Sequence, residues 1–267
     1  MRRHGYAIIV GLTLIAAGMS AADAREAAWQ PLFNGRDLTG WTAKVVGHRA
    51  GDNFADTFRV KDGVIRVSYD GYDGRFRDRF GHLFYRTPYR FFRLRLKYRF
   101  LSPHLPDTPE WAFSNSGIMF WGQTPGSMAL DQDFPASVEF QLRGRVDATP
   151  RPTGSVCTPG TTIEYAGKRD LRHCIDAAGP TIADGQWVEA QLDVLPSGDI
   201  VHKINGKDVI RYRAIELDPA DATARPLIAG NGGSLTLSGG TISLQSEGHP
   251  VEFRDIEIQR IEGGEQK

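Results

Sequence analysis

Residues 92–100 alternate without interruption between apolar and basic side chains. A repeat of two residues is the side-chain period of a β-strand, and it places the two sets on opposite faces. Such a strand belongs to a sheet that packs one face on a core and exposes the other to water. We interpret the basic stripe as a solvated face. The apolar positions are Phe92, Leu94, Leu96, Tyr98 and Phe100, and the basic positions are Arg93, Arg95, Lys97 and Arg99.

Similar strand patterns recur along the chain, separated by turn signals. Asp62-Gly63 and Asn205-Gly206 each lie between two strand-like runs, and both dipeptides favour two-residue hairpins. Within the last strand the apolar parity changes near Arg254-Asp255, which predicts a β-bulge. The predicted strands are 58–61, 64–67, 92–100, 118–121, 137–143, 188–194, 200–204, 209–212, 242–247 and 251–261.

About a dozen short strands with almost no helical pattern predict an all-β, two-sheet antiparallel sandwich. Thirty glycines and 15 prolines among 267 residues are typical of a chain with many turns. Segments 101–114 and 144–186 are rich in Pro, Gly and Thr and are predicted to be loops, which at this length are often functional. No linker or repeat divides the chain, so residues 25–267 are predicted to form a single domain.

Residues 1–24 have the pattern of a secretory signal peptide. The basic start Arg2-Arg3 precedes an apolar run over 7–18, and Ala22-Asp23-Ala24 is a small-x-small cleavage pattern. The apolar run is shorter than the roughly 20 residues of a membrane-spanning helix. We therefore expect an exported protein, periplasmic or secreted, that begins near Arg25 and carries no membrane anchor.

The two cysteines, Cys157 and Cys174, are expected to form a disulfide in an exported protein. The disulfide would stabilise the fold by roughly 3 kcal/mol in the chain-entropy model. A metal-binding pair or two free thiols are the alternatives. His173, beside Cys174, is interpreted as a loop residue held by the disulfide.

The 32 basic and 32 acidic residues balance, so no net charge attracts the chain to nucleic acid. The sequence contains no zinc spacing of Cys and His, no phosphate loop, no dinucleotide fingerprint and no Ser nucleophile elbow. We therefore expect no cofactor and no dedicated metal site. A divalent cation held by scattered oxygen atoms stays an open alternative, and the sequence does not disclose the oligomeric state.

Four groups of residues carry the most specific patterns in the chain. They are PLFNGRDLTGW over 31–41, NSGI over 115–118 with SVEFQ over 137–141, NG at 205–206 followed by Val209, and LQSEGHPVEFRDI over 244–256. In this order they resemble the 3-keto-disaccharide hydrolase domain family, over about residues 29 to 262. The resemblance implies a concanavalin A-like jelly roll with a concave sheet that holds a sugar. It also implies cleavage of glycosides already oxidised to a ketone at C3.

The candidate site is built from polar residues at alternate strand positions. Glu139 and Gln141 share one face of a strand whose other face is apolar, and Gln245 and Glu247 repeat the pattern. If these strands lie in one sheet, their carboxylates and amides converge on a surface that can hydrogen-bond sugar hydroxyls. The simpler interpretation of each pair is an ordinary solvated sheet face.

Four further residues complete the candidate site. Trp121 could stack on a sugar ring, and Asn115 flanks the same strand. His82 is a candidate for proton transfer because the pKa of a histidine is ordinarily near neutrality. Arg254 is a candidate substrate contact. The simpler interpretations are a turn residue for Asn115, a core side chain for Trp121, a packed residue for His82 and an ion pair with Glu252 for Arg254.

The implied mechanism begins at the C3 ketone, which acidifies the proton on C2. A base, Glu139 or His82, removes that proton, and Asn115 or Gln141 stabilises the enolate. The leaving group departs from C1 with Glu247 as the acid. Water then adds to the unsaturated sugar, so the net change is hydrolysis.

Two other functions are compatible with the same patterns. One is a non-catalytic carbohydrate-binding module, and the other is an ordinary glycoside hydrolase. Ordinary retaining enzymes need two carboxylates about 5 Å apart. Laminarinase-like enzymes carry Glu-x-Asp-x-Glu on one strand, whereas residues 139–143 read Glu-Phe-Gln-Leu-Arg. Direct double displacement from this strand is therefore disfavoured.

Overall fold

The computed structural model describes Met1 and residues 27–262 of the chain. Apart from Met1, the predicted signal peptide lies outside the described residues. The strands within them are β1 (Gln30–Pro31), β2 (Trp41–Val45), β3 (Phe58–Lys61), β4 (Val64–Val67), β5 (Gly81–Tyr85), β6 (Phe92–Phe100), β7 (Asn115–Gly122), β8 (Val138–Arg143), β9 (Val156–Cys157), β10 (Thr161–Tyr165), β11 (Lys168–Asp170), β12 (Cys174–Ile175), β13 (Val188–Val194), β14 (Asp199–Ile204), β15 (Lys207–Leu217), β16 (Thr241–Ser246) and β17 (Val251–Arg260).

These strands form two antiparallel sheets, which confirms the predicted sandwich. The larger sheet has the strand order β11-β10-β15-β14-β13-β6-β17-β4-β3, with β1 paired to β17. The smaller sheet has the order β12-β9-β8-β7-β16-β5-β2. Their facing side chains form one apolar core that includes Phe58, Phe120, Phe140 and Phe253, all fully buried. Burying each such side chain contributes about 1.5–3 kcal/mol.

Helical structure is short throughout the described residues. It comprises one α-helix, α1 (Ala224–Gly230), and 3₁₀ turns at Phe54–Asp56, Glu110–Ala112 and Pro125–Ser127. No helix in residues 27–262 has both the length and the apolar character that crossing a membrane requires.

Strand β6 has the burial pattern that its sequence predicts. Its apolar positions are buried and its basic positions are partly exposed. The basic face contacts acidic residues of the neighbouring strand β17. Arg95 pairs with Glu257 at 2.8 Å and Lys97 pairs with Asp255 at 3.1 Å. Acidic side chains of β17 therefore offset the positive charge along β6.

The predicted turns and bulge are confirmed by backbone geometry. Asp62 and Gly63 have φ angles of 51° and 76°, and Asn205 and Gly206 have 49° and 77°. Positive φ at both central positions is the signature of the type I′ hairpin turn. In β17 the register with β6 shifts between Arg254 and Glu257, where the bulge was expected.

The segment 144–186 is not a loop over its whole length, as the sequence suggested, because it contains strands β9 to β12. These strands have two to five residues, and the shorter ones are too brief for an alternating pattern. Cys157 and Cys174 lie opposite each other on β9 and β12 and form the predicted disulfide. The other segment, 101–114, has only the turn at Glu110–Ala112 and is a loop as predicted.

Candidate active site

The candidate strands β5, β16, β7 and β8 are neighbours in the smaller sheet. The register pairs His82 with Gln245 and Met119 with Glu139. Residues at alternate positions share a face, so these side chains and Gln141 lie on one side of the sheet. The intervening residues, such as Leu244, point into the core. The single-sheet arrangement that the prediction required is therefore present.

The polar face of this sheet is buried. The exposed fraction is 6% for Glu139, 2% for Glu247 and 3% for Asn115. An ordinary solvated sheet face, the simpler interpretation, would leave carboxylates exposed to water. Loops on this side of the sheet cover the face and leave a pocket over part of it.

The pocket has a volume of about 510 Å³. Four of the predicted site residues line it: Glu139, Gln141, Asn115 and Glu247. The wall on one side includes the disulfide and His173, so this histidine faces the pocket instead of serving only as a loop residue. The lining also includes two aromatic loop residues, Trp111 and Phe134, and two arginines, Arg143 and Arg151.

Glu139 and Glu247 are electrostatically linked across the pocket. Burial raises the pKa of Glu139 to about 8, although the nearby charge of Arg143 opposes the increase. Burial also raises the pKa of Glu247 well above its ordinary value, and the charge of Glu139 raises it further against the opposing charge of Arg151. Both carboxyls are therefore protonated near neutral pH, and Glu139 ionises first as the pH rises, because its charge then holds the proton on Glu247. A pair of this kind can supply an acid and a base at the same time.

Arg143 is fixed next to Glu139 by the segments that the disulfide joins. Its Nε donates to the carbonyl oxygen of Pro152 at 3.0 Å. Its Nη2 donates to Ser155 Oγ at 2.6 Å and to the carboxylate of Asp176. Ser155 precedes Cys157 by two residues and Asp176 follows Cys174 by two residues.

Arg151 is held by backbone carbonyl groups of the loop around Trp111. Its guanidinium donates to the carbonyl oxygens of Ser114 at 3.1 Å, Gly144 at 3.2 Å and Trp111 at 2.9 Å, and to that of Phe113. The side chain is therefore oriented by the loop. Sequence reasoning missed Arg151 because it lies in an irregular segment with no period to follow.

Several polar atoms of the pocket have no hydrogen-bond partner within residues 27–262. They are Glu139 Oε1, Glu247 Oε2, Asn115 Oδ1 and Gln141 Oε1. Leaving a buried polar atom unpaired costs about 1–3 kcal/mol. Native proteins keep such groups mainly where a water molecule or a ligand meets them. The pocket is thus equipped for a ligand with many polar atoms.

Trp121 is not in the pocket. It is 8% exposed and packs in the core, and its Nε1 donates to the carbonyl oxygen of Arg90 at 2.9 Å. The simpler interpretation as a core side chain is the one that the structure supports. Trp111, which is 53% exposed, is the tryptophan that lines the pocket. No periodic signal marked Trp111, because it lies in the loop before β7.

Arg254 also lies away from the pocket, on strand β17 of the larger sheet. Its guanidinium carbon lies 4.1 Å from the centre of the Trp187 ring. The expected substrate contact is therefore wrong in geometry. The alternative pairing with Glu252 is also wrong, because Glu252 pairs with Arg66 and Arg99.

His82 and Gln245 lie on the polar face but not in the open pocket. Both side chains are fully buried. The ring of Phe134 stands edge-on to His82 with 5.9 Å between ring centres. Burial, with a smaller effect of the nearby charge of Lys44, lowers the pKa of His82 to about 3. His82 is therefore a neutral imidazole at physiological pH.

The part of the chain that the structure describes holds no group of three or more His, Cys, Asp or Glu side chains placed to bind a metal ion.

Residues 28–259 match the model of the 3-keto-alpha-glucoside-1,2-lyase-like domain. Among curated proteins, no sequence matches the chain at a significant level.

Solved structures show the same fold at low sequence identity. Two crystal structures from Parabacteroides distasonis ATCC 8503 are of proteins named glycosyl hydrolases by inference. One has 18% identity and a TM-score of 0.50 over 88% of this chain and 94% of that one. The other has 16% identity and a TM-score of 0.53 over 88% and 100%. The exoplasmic/lumenal domain of VIP36, in a form with Ca²⁺ and Man3GlcNAc, has 8% identity and a TM-score of 0.50 over 88% and 89%. These likenesses concern the fold alone.

Proposed function

Because the chain belongs to the family of 3-keto-alpha-glucoside-1,2-lyase-like domains, we propose that it cleaves the C1–O bond of glycosides that carry a ketone at C3. The observation that carries this proposal is the pair of buried carboxyls, Glu139 and Glu247, in one pocket with raised pKa values. Elimination across C1 and C2 needs one group to take a proton and another to give one. A pair in which Glu139 has ionised and Glu247 keeps its proton meets both needs.

Glu139 is the base in this mechanism. Its carboxylate takes the proton from C2, which the neighbouring C3 ketone has made acidic. The electron pair moves onto the C3 oxygen and forms an enolate. The amide groups of Asn115 and Gln141 line the pocket and can donate hydrogen bonds to that oxygen.

Glu247 is the acid. It keeps its proton when Glu139 ionises, because burial raises its pKa and the charge of Glu139 raises it further. When the enolate collapses to a C1=C2 double bond, the C1–O bond breaks and Glu247 gives its proton to the leaving oxygen. Water then adds its hydroxyl to C1 and its proton to C2, which completes a net hydrolysis.

His82 is a poor alternative base. With its pKa lowered to about 3, the imidazole accepts a proton weakly near neutral pH. It also does not line the open pocket, whereas Phe134, which packs against it, does. We therefore assign proton abstraction to Glu139 alone.

Ordinary glycoside hydrolysis is the second candidate, because Glu247 supplies the second carboxyl that residues 139–143 lack. A double displacement would use one carboxyl as nucleophile and the other as acid. It would need no ketone on the substrate. The two candidates therefore differ in whether the proton on C2 ever leaves carbon.

The deciding experiment uses 3-keto-1,5-anhydroglucitol, which has a C3 ketone but no leaving group on C1. We expect the protein in D₂O to exchange the C2 proton for deuterium, read by NMR against the C4 position as internal reference. Glu139→Gln should abolish the exchange, and Glu189→Gln, on the other sheet, should leave it unchanged. Cleavage of unoxidised glycosides without exchange would instead support the ordinary hydrolase. Binding with neither reaction would support a non-catalytic module.

We also propose that the protein is exported. The Cys157–Cys174 disulfide supports this proposal, since disulfides persist mainly in oxidising compartments. Fractionation of the producing cell, with a blot against residues 25–267, tests it. Recovery in the cytoplasm with both cysteines reduced would contradict the proposal.

A further inference from the structure

A second group of unpaired polar atoms lies beside the pocket, on strands β5 and β16. Both ring nitrogens of His82, both amide atoms of Gln245 and the hydroxyl of Ser243 are buried without a hydrogen-bond partner in residues 27–262. His82 and Gln245 face each other across the two strands. Ser243 and Gln245 are two residues apart, so their side chains share the face. The five atoms belong to neighbouring positions on one face of the sheet, which we call the polar patch.

His202 shows how a structural histidine is accommodated elsewhere in this fold. It is as deeply buried as His82, and burial likewise lowers its pKa to about 3. Its Nδ1 donates to the carbonyl oxygen of Gly154 at 2.9 Å, and its Nε2 accepts from the Tyr212 hydroxyl at 2.7 Å. Both nitrogens of His202 are satisfied and both nitrogens of His82 are not. The patch around His82 is therefore equipped to meet a polar group that the protein itself does not supply.

Phe134 covers this patch. Its ring centre lies 5.9 Å from that of His82, with the two planes nearly perpendicular, and 5.1 Å from that of Phe80, which in turn stacks on Trp111 at 5.5 Å. Phe134 belongs to the segment between β7 and β8, and it also lines the open pocket. The same ring thus borders both the pocket and the patch around His82.

We propose that the pocket continues beneath Phe134 as a second binding compartment, in which His82, Gln245 and Ser243 hydrogen-bond neutral oxygen groups of the substrate. Movement of the Phe134 side chain joins the compartment to the pocket. Gln245 precedes Glu247 by two residues, so the compartment adjoins the proposed acid. We take these oxygen groups to be hydroxyls of a 3-keto sugar, and this identification rests on the proposed function.

The ligand chemistry follows from the charges of the patch. The groups that line it are an imidazole, an amide and a hydroxyl. The nearest cation, Lys44, donates to the carbonyl oxygens of Val45 at 3.1 Å and Leu130 at 3.0 Å. The ammonium of Lys44 is thus directed at backbone oxygens, and burial raises the pKa of Glu247, the carboxyl beside the patch, so that it is neutral near pH 7. Neutral groups that both donate and accept, such as sugar hydroxyls, fit best.

Binding of the uncleavable 3-keto-1,5-anhydroglucitol, measured by calorimetry, tests the compartment. We expect Gln245→Met to weaken binding about tenfold or more and to leave the melting temperature unchanged or higher, since it removes unpaired polar atoms. Gln259→Met is the matched control. Its amide is satisfied by Ala27 and Arg93 on the other sheet, so the same substitution should lower the melting temperature and leave binding unchanged.

Accessibility of His82 supplies a second measurement that needs no catalysis. Diethyl pyrocarbonate should modify His82 slowly in the wild-type protein, more slowly still with 3-keto-1,5-anhydroglucitol present, and rapidly in Phe134→Ala. Peptide mass spectrometry reads the modification. Equal rates in all three samples, with normal binding by Gln245→Met, would overturn the compartment and leave the proposed reaction intact. Weakened binding by Gln245→Met without any cleavage of 3-keto glycosides would overturn the reaction and leave the compartment.

Discussion

A β-carbon on Gly117 would lie 2.5 Å from Oε1 of Glu139. The carboxyl group of Glu139 therefore rests directly over the backbone of the neighbouring strand, in the space that any other residue would fill. Gly117 is part of β7 and Glu139 is part of β8, so the register of these strands sets this contact. The lack of a side chain at Gly117 therefore leaves the space in which the Glu139 carboxyl lies.

Gly117→Ala should therefore displace the Glu139 carboxyl. We expect a large loss of kcat, of the order of a hundredfold for a misplacement of about 1 Å, and a destabilisation of about 1–3 kcal/mol from overpacking. Steady-state kinetics on 3-keto-trehalose and thermal unfolding measure the two effects. Gly126→Ala is the control, because nothing lies within 4 Å of its added carbon. Unchanged kinetics in Gly117→Ala would mean that the contact has no catalytic consequence.

Glu139→Gln should abolish turnover of 3-keto-trehalose while the protein still folds. It should also stabilise the fold at high pH. A free carboxyl ionises near pH 4.5, whereas the pKa of Glu139 in the folded protein is about 8. Between these values the folded state keeps a proton that the unfolded state releases, so the free energy of unfolding falls as pH rises.

Urea unfolding at pH 5 and pH 8 measures this linkage. The stability advantage of Glu139→Gln over the wild type should grow between these pH values by an amount on the order of a few kcal/mol. If the free energy of unfolding of Glu139→Gln exceeds that of the wild type by the same amount at both pH values, burial does not raise the pKa of Glu139.

The pH dependence of kcat/KM should show an acidic limb near pH 8. The base must be ionised, so the rate rises as pH increases through the pKa of Glu139. Removing the charge of Arg143 with Arg143→Met should raise that pKa and move the limb to higher pH. Arg143→Lys keeps the charge and should move the limb less. A limb that stays fixed in Arg143→Met would assign the titration to another group.

Trp111→Ala should raise KM about two- to tenfold with little effect on the melting temperature. The side chain is half exposed, so its loss creates no core cavity, but an aromatic face at the pocket is worth about 0.5–1.5 kcal/mol to a sugar ring. Trp121→Ala is the contrasting variant. It should destabilise the protein by about 3–5 kcal/mol, because the indole is buried. If instead Trp121→Ala raised KM and Trp111→Ala destabilised the protein, Trp121 would be the residue that stacks on the sugar.

The sequence predicted the parts of the site that lie on regular strands. The alternation in residues 137–143 placed Glu139 and Gln141 on one face, and that face is where the pocket lies. The alternation could not show that loops bury this face, and burial is what changes the carboxyl pKa values. Trp111, Arg151 and Phe134 lie in irregular segments whose positions depend on tertiary contacts, so no local pattern marked them. Trp121 was misplaced because its strand ends in an irregular register that turns the side chain into the core.

The disulfide has a consequence for how the protein matures. Two short strands, β9 and β12, carry it, and the residues that flank it fix the guanidinium of Arg143. Most of the apolar core lies outside residues 157–174, so the core and the crosslinked wall of the pocket are different parts of the molecule. We therefore expect a chain with reduced thiols to keep the sandwich and to lose the fixed position of Arg143. Preparations that differ in oxidant exposure would then differ more in the geometry of the pocket than in their content of folded sandwich.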